Sequence, residues 1–316
     1  MTPQDDLVDK LTKAVLEKLN TGAAGENADG SAGGSTAGVG GSTGGSTAGS
    51  GSGGQGGNPG AAVAGGGRSG PAQSPASGVS PELEALTAAE LARYIDHTQL
   101  KPDTPREAIE KLCDEAVQWG FYAVCVNSHW TEFCAQRLQG TRVKVAAVVG
   151  FPLGAMASRA KGFEARHAAE LGADEIDMVL NIGELRANHM DAVRKDIAAV
   201  VRATRPNVLT KVILETSMLT DEQKIAACEL AKDVGADFVK TSTGFGGGGA
   251  TVRDIALMRR TVGPKMGVKA SGGVRTRADT LAMIQAGATR IGTSSGIAIV
   301  TGGTGSGDEG TYSQAC

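Results

Sequence analysis

The sequence predicts an α/β fold: a (β/α)8 TIM barrel over residues 81–300, preceded by a short amphipathic helix at 1–20 and a disordered Gly/Ser/Ala-rich linker at 21–80, and followed by a flexible C-terminal tail at 301–316. Three observations carry this expectation. Short apolar runs alternate with amphipathic segments eight times across the body, the spacing of a β/α barrel, with a doubly wound open sheet as the alternative. Most of the excess among the 47 glycines lies between Thr21 and Ser80, in text such as GSTAGVGGSTGGSTAGS with almost no charge and no aromatic residue. Such a segment buries too little apolar surface to offset its ordering entropy. The remainder from Pro81 is about 235 residues, enough for one substantial core.

Taken in order, the head opens with Thr2 as a helix cap, Pro3 at the first position and Asp5 completing a capping-box pattern, while Asn20 and Gly22 supply stop signals. The helix is expected from Pro3 to Leu19. Leu7, Val8, Leu11, Ala14, Val15, Lys18 and Leu19 share a face about 140° wide, opposite Asp6, Asp9, Lys10, Lys13 and Glu17. A helix of this length is marginal alone in water, so it needs a partner. The linker behaves as a coil with an end-to-end distance of roughly 40 to 45 Å, which lets the head dock away from the body.

In the body, Ser80-Pro81-Glu82 opens a helix and Thr87 to Glu90 forms a capping box. Candidate strands follow at 94–95, 123–126, 143–149, 175–179, 210–214, 238–239, 266–268 and 290–291. Amphipathic segments lie near 105–119, 129–138, 158–171, 185–204, 221–234, 251–262 and 276–287.

Composition narrows the function. The chain carries 31 Lys and Arg against 34 Asp and Glu, a net charge of -3, which argues against nucleic acid as the main partner. The five cysteines, at 113, 125, 134, 228 and 316, are odd in number with no CxxC pair, so neither a disulfide framework nor a clustered zinc site is written here and a reducing cytosol is the expected compartment. The first twenty residues lack an apolar h-region and carry four acids, unlike a secretory signal. No stretch approaches the roughly 18 apolar residues of a membrane span, and no membrane partner is expected.

In a barrel, functional groups stand at the C-terminal ends of the strands. Those ends carry Asp96, Cys125 and Asn127, Pro152, Asp177 and Asn181, Glu215, Lys240, Lys269 and Gly292 to Ser295. Lys240 and Lys269 each follow apolar strand residues and precede small ones. Two ammonium groups converging in one mouth repel, and burial further disfavours charge, so one can lose its proton near pH 7 and act as a carbonyl nucleophile. The alternative is that each pairs with a carboxylate at the rim. Asp177 is an acid inside an apolar run, placed either for proton transfer or for a structural salt bridge. Asp96 is a weaker candidate of the same kind. His97 is expected to make a structural hydrogen bond, and His129, His167 and His189 lack metal-ligand spacing. The glycine- and hydroxyl-rich ends at Gly244, Ser271 to Gly273 and Gly292 to Gly296 free backbone amides for an anion, as barrels commonly do after their last strands, although turns use glycines too. Gly246 to Gly249 is expected as a mobile loop.

The body from about Ala92 onward resembles deoxyribose-phosphate aldolase, a class I aldolase family, through IDHTQLKPDT, VCVNS, VVGFPLG, EIDMVLNIG, KVILET, FVKTSTGF, GVKASGGVRT and RIGTSSG. The resemblance implies a (β/α)8 barrel, no metal, no cofactor, and reversible Schiff-base cleavage of 2-deoxy-D-ribose 5-phosphate into D-glyceraldehyde 3-phosphate and acetaldehyde. It implies that Lys240 forms the Schiff base, Lys269 lowers its proton affinity, and Asp177 relays protons with water. Asp96 and Cys125 match substrate-pocket positions, and phosphate contacts carry over to Gly244, Gly272, Gly273, Ser294 and Ser295. Some members place a lysine after TSTG where this chain has Phe245. A tail tyrosine reaching the active site is also implied; Tyr312 is the candidate, against the alternative of an idle end.

The head and linker together resemble the encapsulation peptides of bacterial microcompartment cargo, which implies a shell-protein partner for residues 1–20 and a place inside a cytoplasmic microcompartment. A membrane-surface helix and an oligomerisation helix are the competitors. A homodimer is compatible with this reading. The alternative functions are a catalytically idle barrel acting as a shell-binding interaction protein, or another phosphosugar barrel enzyme.

Overall fold

Alternation along the strands sets the layering of the molecule. The computed structural model describes residues 78–303; the expected helix at 1–20, nearly all of the linker, and Tyr312 with its tail lie outside the described residues. Eight parallel strands, β1 (Ile95–Gln99), β2 (Ala123–Asn127), β3 (Lys144–Val149), β4 (Glu175–Val179), β5 (Leu209–Ile213), β6 (Phe238–Lys240), β7 (Gly267–Ser271) and β8 (Arg290–Thr293), form a closed barrel in sequence order. β8 returns to β1 through the pairs Ile95↔Ile291, Asp96↔Gly292 and His97↔Thr293. Successive side chains on a strand point to opposite faces. Ile95, Val124, Val145, Ile176, Met178, Val212, Val239, Val268 and Ile291 accordingly belong to the apolar core shared with the helices. The intervening positions face the barrel axis, and there Asp96, Glu175, Asp177, Lys211, Lys240, Lys269 and Arg290 are all buried.

The helices are α1 (Pro81–Glu84), α2 (Ala88–Ala92), α3 (Arg106–Trp119), α4 (Thr131–Arg137), α5 (Ser158–Glu170), α6 (Ile182–Arg186), α7 (Met190–Thr204), α8 (Asp221–Val234), α9 (Val252–Val262), α10 (Arg277–Gln285) and α11 (Gly296–Thr301). The expected capping box opens α2: the Thr87 hydroxyl accepts from the Glu90 amide while the Glu90 side chain accepts from the Thr87 amide. Thr220 and Gln223 repeat the device at α8. The helical layer has buried ion pairs of its own. Lys161 on α5 donates to Asp196 on α7 at 2.7 Å and to the Val179 carbonyl at 2.8 Å, and Lys224 on α8 meets Asp254 on α9 at 2.6 Å. No helix among the described residues is long and apolar enough to cross a membrane.

Several boundaries differ from the expectation: β1 runs to Gln99 and β8 to Thr293, beyond the apolar runs at 94–95 and 290–291, and three further differences have a visible cause. The segment at 185–204 is the end of α6 and the whole of α7, broken at Asn188 with φ 61°, a left-handed conformation that asparagine tolerates better than most residues. The segment at 129–138 begins with a 3-10 turn, Ser128–Trp130. β6 and β7 extend further than the apolar runs because Lys240 and Lys269 are themselves paired across the sheet. Both lysines therefore lie within strands rather than just beyond them.

Candidate active site

Seven charged side chains meet inside the barrel because the strands place an acid or a base at alternate positions. Asp177 stands opposite Lys211, Lys240 opposite Lys269, and Lys269 opposite Arg290. Six of the seven close into a ring. Arg290 Nη1 donates to Glu175 at 3.1 Å, and Lys211 Nζ bridges Glu175 and Asp177 at 2.6 Å each. Lys269 Nζ donates to Asp177 at 2.8 Å and to Asp96. Asp96 closes the circuit by accepting from Arg290 Nη1 at 2.8 Å. Cations and anions alternate around this ring, three of each, so the ring is neutral as a unit.

Lys240 is the seventh member and stands outside the ring. Its Nζ donates to Asp177 Oδ2 at 2.9 Å, the one ion pair it makes among the described residues. It is also the one of the seven that reaches a cavity. A cleft of about 600 Å³, counted to its open mouth, is lined by Thr98 to Lys101 after β1, Lys240 and Thr243 to Phe245 after β6, Ser271 and Gly272 after β7, and Gly292 to Ser294 after β8. Lys240 is 2% exposed, so its amine sits at the foot of this cleft. Asp177, Lys269 and Asp96 lie behind it.

The field in the ring is strong. Burial alone raises the pKa of Asp177, but the cations of Lys211, Lys240 and Lys269 outweigh it and hold the carboxyl well below the usual carboxylate range. Asp96 is likewise pushed up by burial and brought down further by Arg290, Lys269 and Lys211. Burial works against charge on Lys269 and Lys211, yet Asp177 with Asp96, and Asp177 with Glu175, leave both above the ordinary lysine value. Asp96 and Asp177, and the cations Lys211, Lys269 and Arg290, are thus ionised at neutral pH.

The remaining expected residues divide. Cys125 is buried with Leu100, Ala146 and Val148 in a small apolar cluster that carries Phe151 and Phe245, their rings 5.3 Å apart edge to face. Burial raises its thiol pKa, so it behaves as an apolar backing to the cleft wall. Gly244 and Gly272, with φ 88° and 81°, hold turns that an L side chain would strain, and both line the cleft with Ser294. Gly273 and Ser295 stand one residue behind that wall; Ser295 is the N-cap of α11. Ser271 Oγ is buried with no hydrogen-bond partner among the described residues and faces the cleft. In the Gly246 to Gly249 segment, expected as mobile, a Cβ at Gly246 would fall 2.6 Å from the Glu215 carboxyl carbon and one at Gly249 would fall 2.3 Å from the Gly272 carbonyl, while Gly247 is open to solvent. Asn181 caps α6 by accepting from the Glu184 amide. Glu215, left-handed at φ 58°, accepts from the amide and hydroxyl of Thr243. His97 shares a hydrogen bond with Glu115 at 2.7 Å, as expected. No group of three or more His, Cys, Asp or Glu able to hold a metal ion occurs among the described residues.

Sequence reasoning singled out Asp96, Asp177, Lys240 and Lys269 but missed Glu175, Lys211 and Arg290. The signal for these three was the period-two alternation itself: Glu175 precedes Asp177 by two positions, as Arg290 precedes Gly292, and Lys211 precedes Ile213 in the same way.

Residues 91–302 match the DeoC/LacD family aldolase. Deoxyribose-phosphate aldolase 1 of Oceanobacillus iheyensis is 60% identical over 219 residues, 69% of this chain and 99% of that protein. The Enterococcus faecalis deoxyribose-phosphate aldolase is 57% identical over 218 residues, 69% of this chain and 99% of that protein. Among solved structures, the deoxyribose phosphate aldolase of Aeropyrum pernix, described as a tetramer, superposes with a TM-score of 0.65 at 32% identity, covering 69% of this chain and 93% of its own. With a closed eight-stranded barrel, a lysine at the foot of its cleft and a family match across nearly the whole described body, the chain belongs to the DeoC/LacD family of aldolases.

Proposed function

We propose that the chain is a class I deoxyribose-phosphate aldolase that cleaves 2-deoxy-D-ribose 5-phosphate reversibly to D-glyceraldehyde 3-phosphate and acetaldehyde, with Lys240 as its Schiff-base nucleophile. The observation that carries this reading is the position of Lys240, alone of the seven charged groups in reaching the cleft and outside a ring already neutral without it. Four cations face three acids in a buried interior, so shedding one proton balances the charge, and the amine that can shed it beside a substrate is Lys240. Its lone pair attacks the C1 carbonyl of the open-chain sugar, and loss of water gives an iminium ion. The C2–C3 bond then breaks as the C3 hydroxyl loses its proton, releasing D-glyceraldehyde 3-phosphate and leaving an enamine on Lys240. Protonation of the enamine carbon and hydrolysis release acetaldehyde and regenerate the amine. Asp177, 2.9 Å from Lys240 Nζ, is the proposed relay of protons, with water as the carrier. Lys269 fixes Asp177 and supplies positive charge.

The phosphate is proposed to rest on the backbone amides of Gly244, Gly272 and Ser294, with Gly273 and Ser295 supporting the turns. Phe245, packed on Phe151, adds no charge there. Asp96 and Cys125 act from behind the wall, and Tyr312 is the proposed carrier of a proton to the enamine carbon. The N-terminal helix is proposed to dock the enzyme to a microcompartment shell in the cytoplasm through the 21–80 linker; the Oceanobacillus relative is matched over 99% of its length by 219 residues of this chain, so it has no counterpart to that extension. Assembly as a homodimer or larger oligomer fits the tetramer described for the Aeropyrum relative.

The test is a coupled assay of acetaldehyde release from 2-deoxyribose 5-phosphate, on the full chain and on a chain lacking residues 1–80. Turnover insensitive to chelator and equal in both proteins is expected, with co-localisation to a shell lost only in the shorter one. Absence of turnover, or its loss on chelation, contradicts the proposal.

A further inference from the structure

The ring that surrounds Lys240 extends beyond the groups able to touch a substrate. Arg290 and Glu175 lie at its far side. Arg290 is buried, spans Asp96 and Glu175, and stacks its guanidinium 3.5 Å from the centre of the Tyr122 ring. Glu175 accepts from Arg290 and from Lys211. Neither residue lines the cleft. Reaching Lys240 from either requires passing through Asp96 and Lys269 on one arm or Lys211 on the other, and both arms end on Asp177. In a family of barrels whose interiors are commonly packed with branched aliphatics, a buried arginine and glutamate below the cleft need a reason. Two apolar side chains of similar volume are often as stabilising as a buried ion pair, or more so.

We infer that Arg290 and Glu175 are positioning residues that set the charge of the ring to zero, and thereby set the pH at which the Lys240 amine becomes available to a carbonyl. This rests on the reading of Lys240 as the Schiff-base lysine. With Arg290 present the ring is balanced and a protonated Lys240 is the surplus cation. Without Arg290 the ring carries one net negative charge, which holds the proton on Lys240 to higher pH. Without the Glu175 charge the ring carries one net positive charge, which expels that proton at lower pH. Removing both restores the balance. The other titratable groups in the field of Lys240 are Cys125 on β2, Glu215 after β5 and Lys101, which lines the same cleft after β1; they are common to every variant and cancel in the comparison. The β3 residues on the inner wall, Ala146 and Val148, carry no charge.

The experiment follows the initial rate of Lys240 alkylation by acetaldehyde and cyanoborohydride as a function of pH, read by peptide mass spectrometry in the full chain. Arg290→Met is expected to move the midpoint up and Glu175→Gln to move it down, each on the order of one pH unit for a unit charge acting through an effective dielectric of about 20. The double variant is expected to return close to the unaltered midpoint, and Arg290→Lys to keep it even where the rate falls. A merely structural role predicts no opposition of sign and no return in the double variant. If Arg290→Met does not fold, Glu175→Gln and Arg290→Lys still decide the matter. Midpoints that stay put, or that move in the same direction in both single variants, overturn the inference while leaving the aldolase reading intact. Absence of any adduct at Lys240 in the unaltered protein fails that reading instead.

Discussion

Lys161 and Lys240 are both buried lysines bonded to a buried aspartate, yet their surroundings differ in one respect that matters. In the helical layer Lys161 is the one cation paired with Asp196 among the described residues, at 2.7 Å, and donates also to the Val179 carbonyl at 2.8 Å. Burial pulls its pKa below the ordinary lysine value, and Asp196 offsets only part of that. Inside the barrel Lys240 shares Asp177 with Lys211 and Lys269 and opens onto a cleft. One lysine belongs to a closed pair, the other is supernumerary. A pair with one acid for each base joins two helices and has no proton to spare. A cluster in which bases outnumber acids leaves one amine without an acid of its own, and here that amine opens onto the cleft. Burial alone therefore does not separate the two lysines; the local count of charges does.

The comparison is broken most severely at Lys269. Lys269→Leu removes a cation from the ring, so Lys240 retains its proton to higher pH, and the optimum for Schiff-base formation is expected to rise while turnover near neutral pH falls roughly 10²-fold or more. A pH-rate profile checks this; an unchanged profile separates Lys269 from the chemistry.

A smaller and different effect is expected at Lys161. Lys161→Met leaves Asp196 buried without its cation, which costs about 3–5 kcal/mol of stability by the general behaviour of broken buried pairs. Denaturant unfolding measures the loss, and the pH profile of turnover in the folded fraction is expected to stay where it was. A shifted profile would mean that the two lysine environments communicate, which the separation of the helical layer from the ring opposes.

The fold was legible because apolar runs and amphipathic segments follow two different periods, and eight repeats of that switch leave little freedom. The break at Asn188 was not, since the residues on either side continue a helical pattern and only the left-handed asparagine interrupts it. Asp177, Lys240 and Lys269 could be singled out because a charge within or just after an apolar run is costly without a purpose. Glu175 and Arg290 are the first residues of their strands, where a charged residue reads as solvated flank, and Lys211 lies mid-strand in β5, where a lone lysine gives no sign of which face it takes. What makes them interior is closure of the sheet, which brings Arg290 to Asp96 across 194 residues. A local pattern carries no trace of that contact. The same limit applies to the neutrality of the ring, a property of six residues on five strands.

The most direct measurement is the site of covalent capture. Treating the unaltered protein with acetaldehyde and borohydride and mapping the adduct by mass spectrometry should place a single two-carbon unit on Lys240, with turnover abolished in proportion and chelator without effect. Capture at Lys211, at Lys269 or at Lys101, which also lines the cleft, or no capture under conditions that support turnover, would contradict the assignment of Lys240 as the surplus amine of the barrel interior that opens onto the cleft.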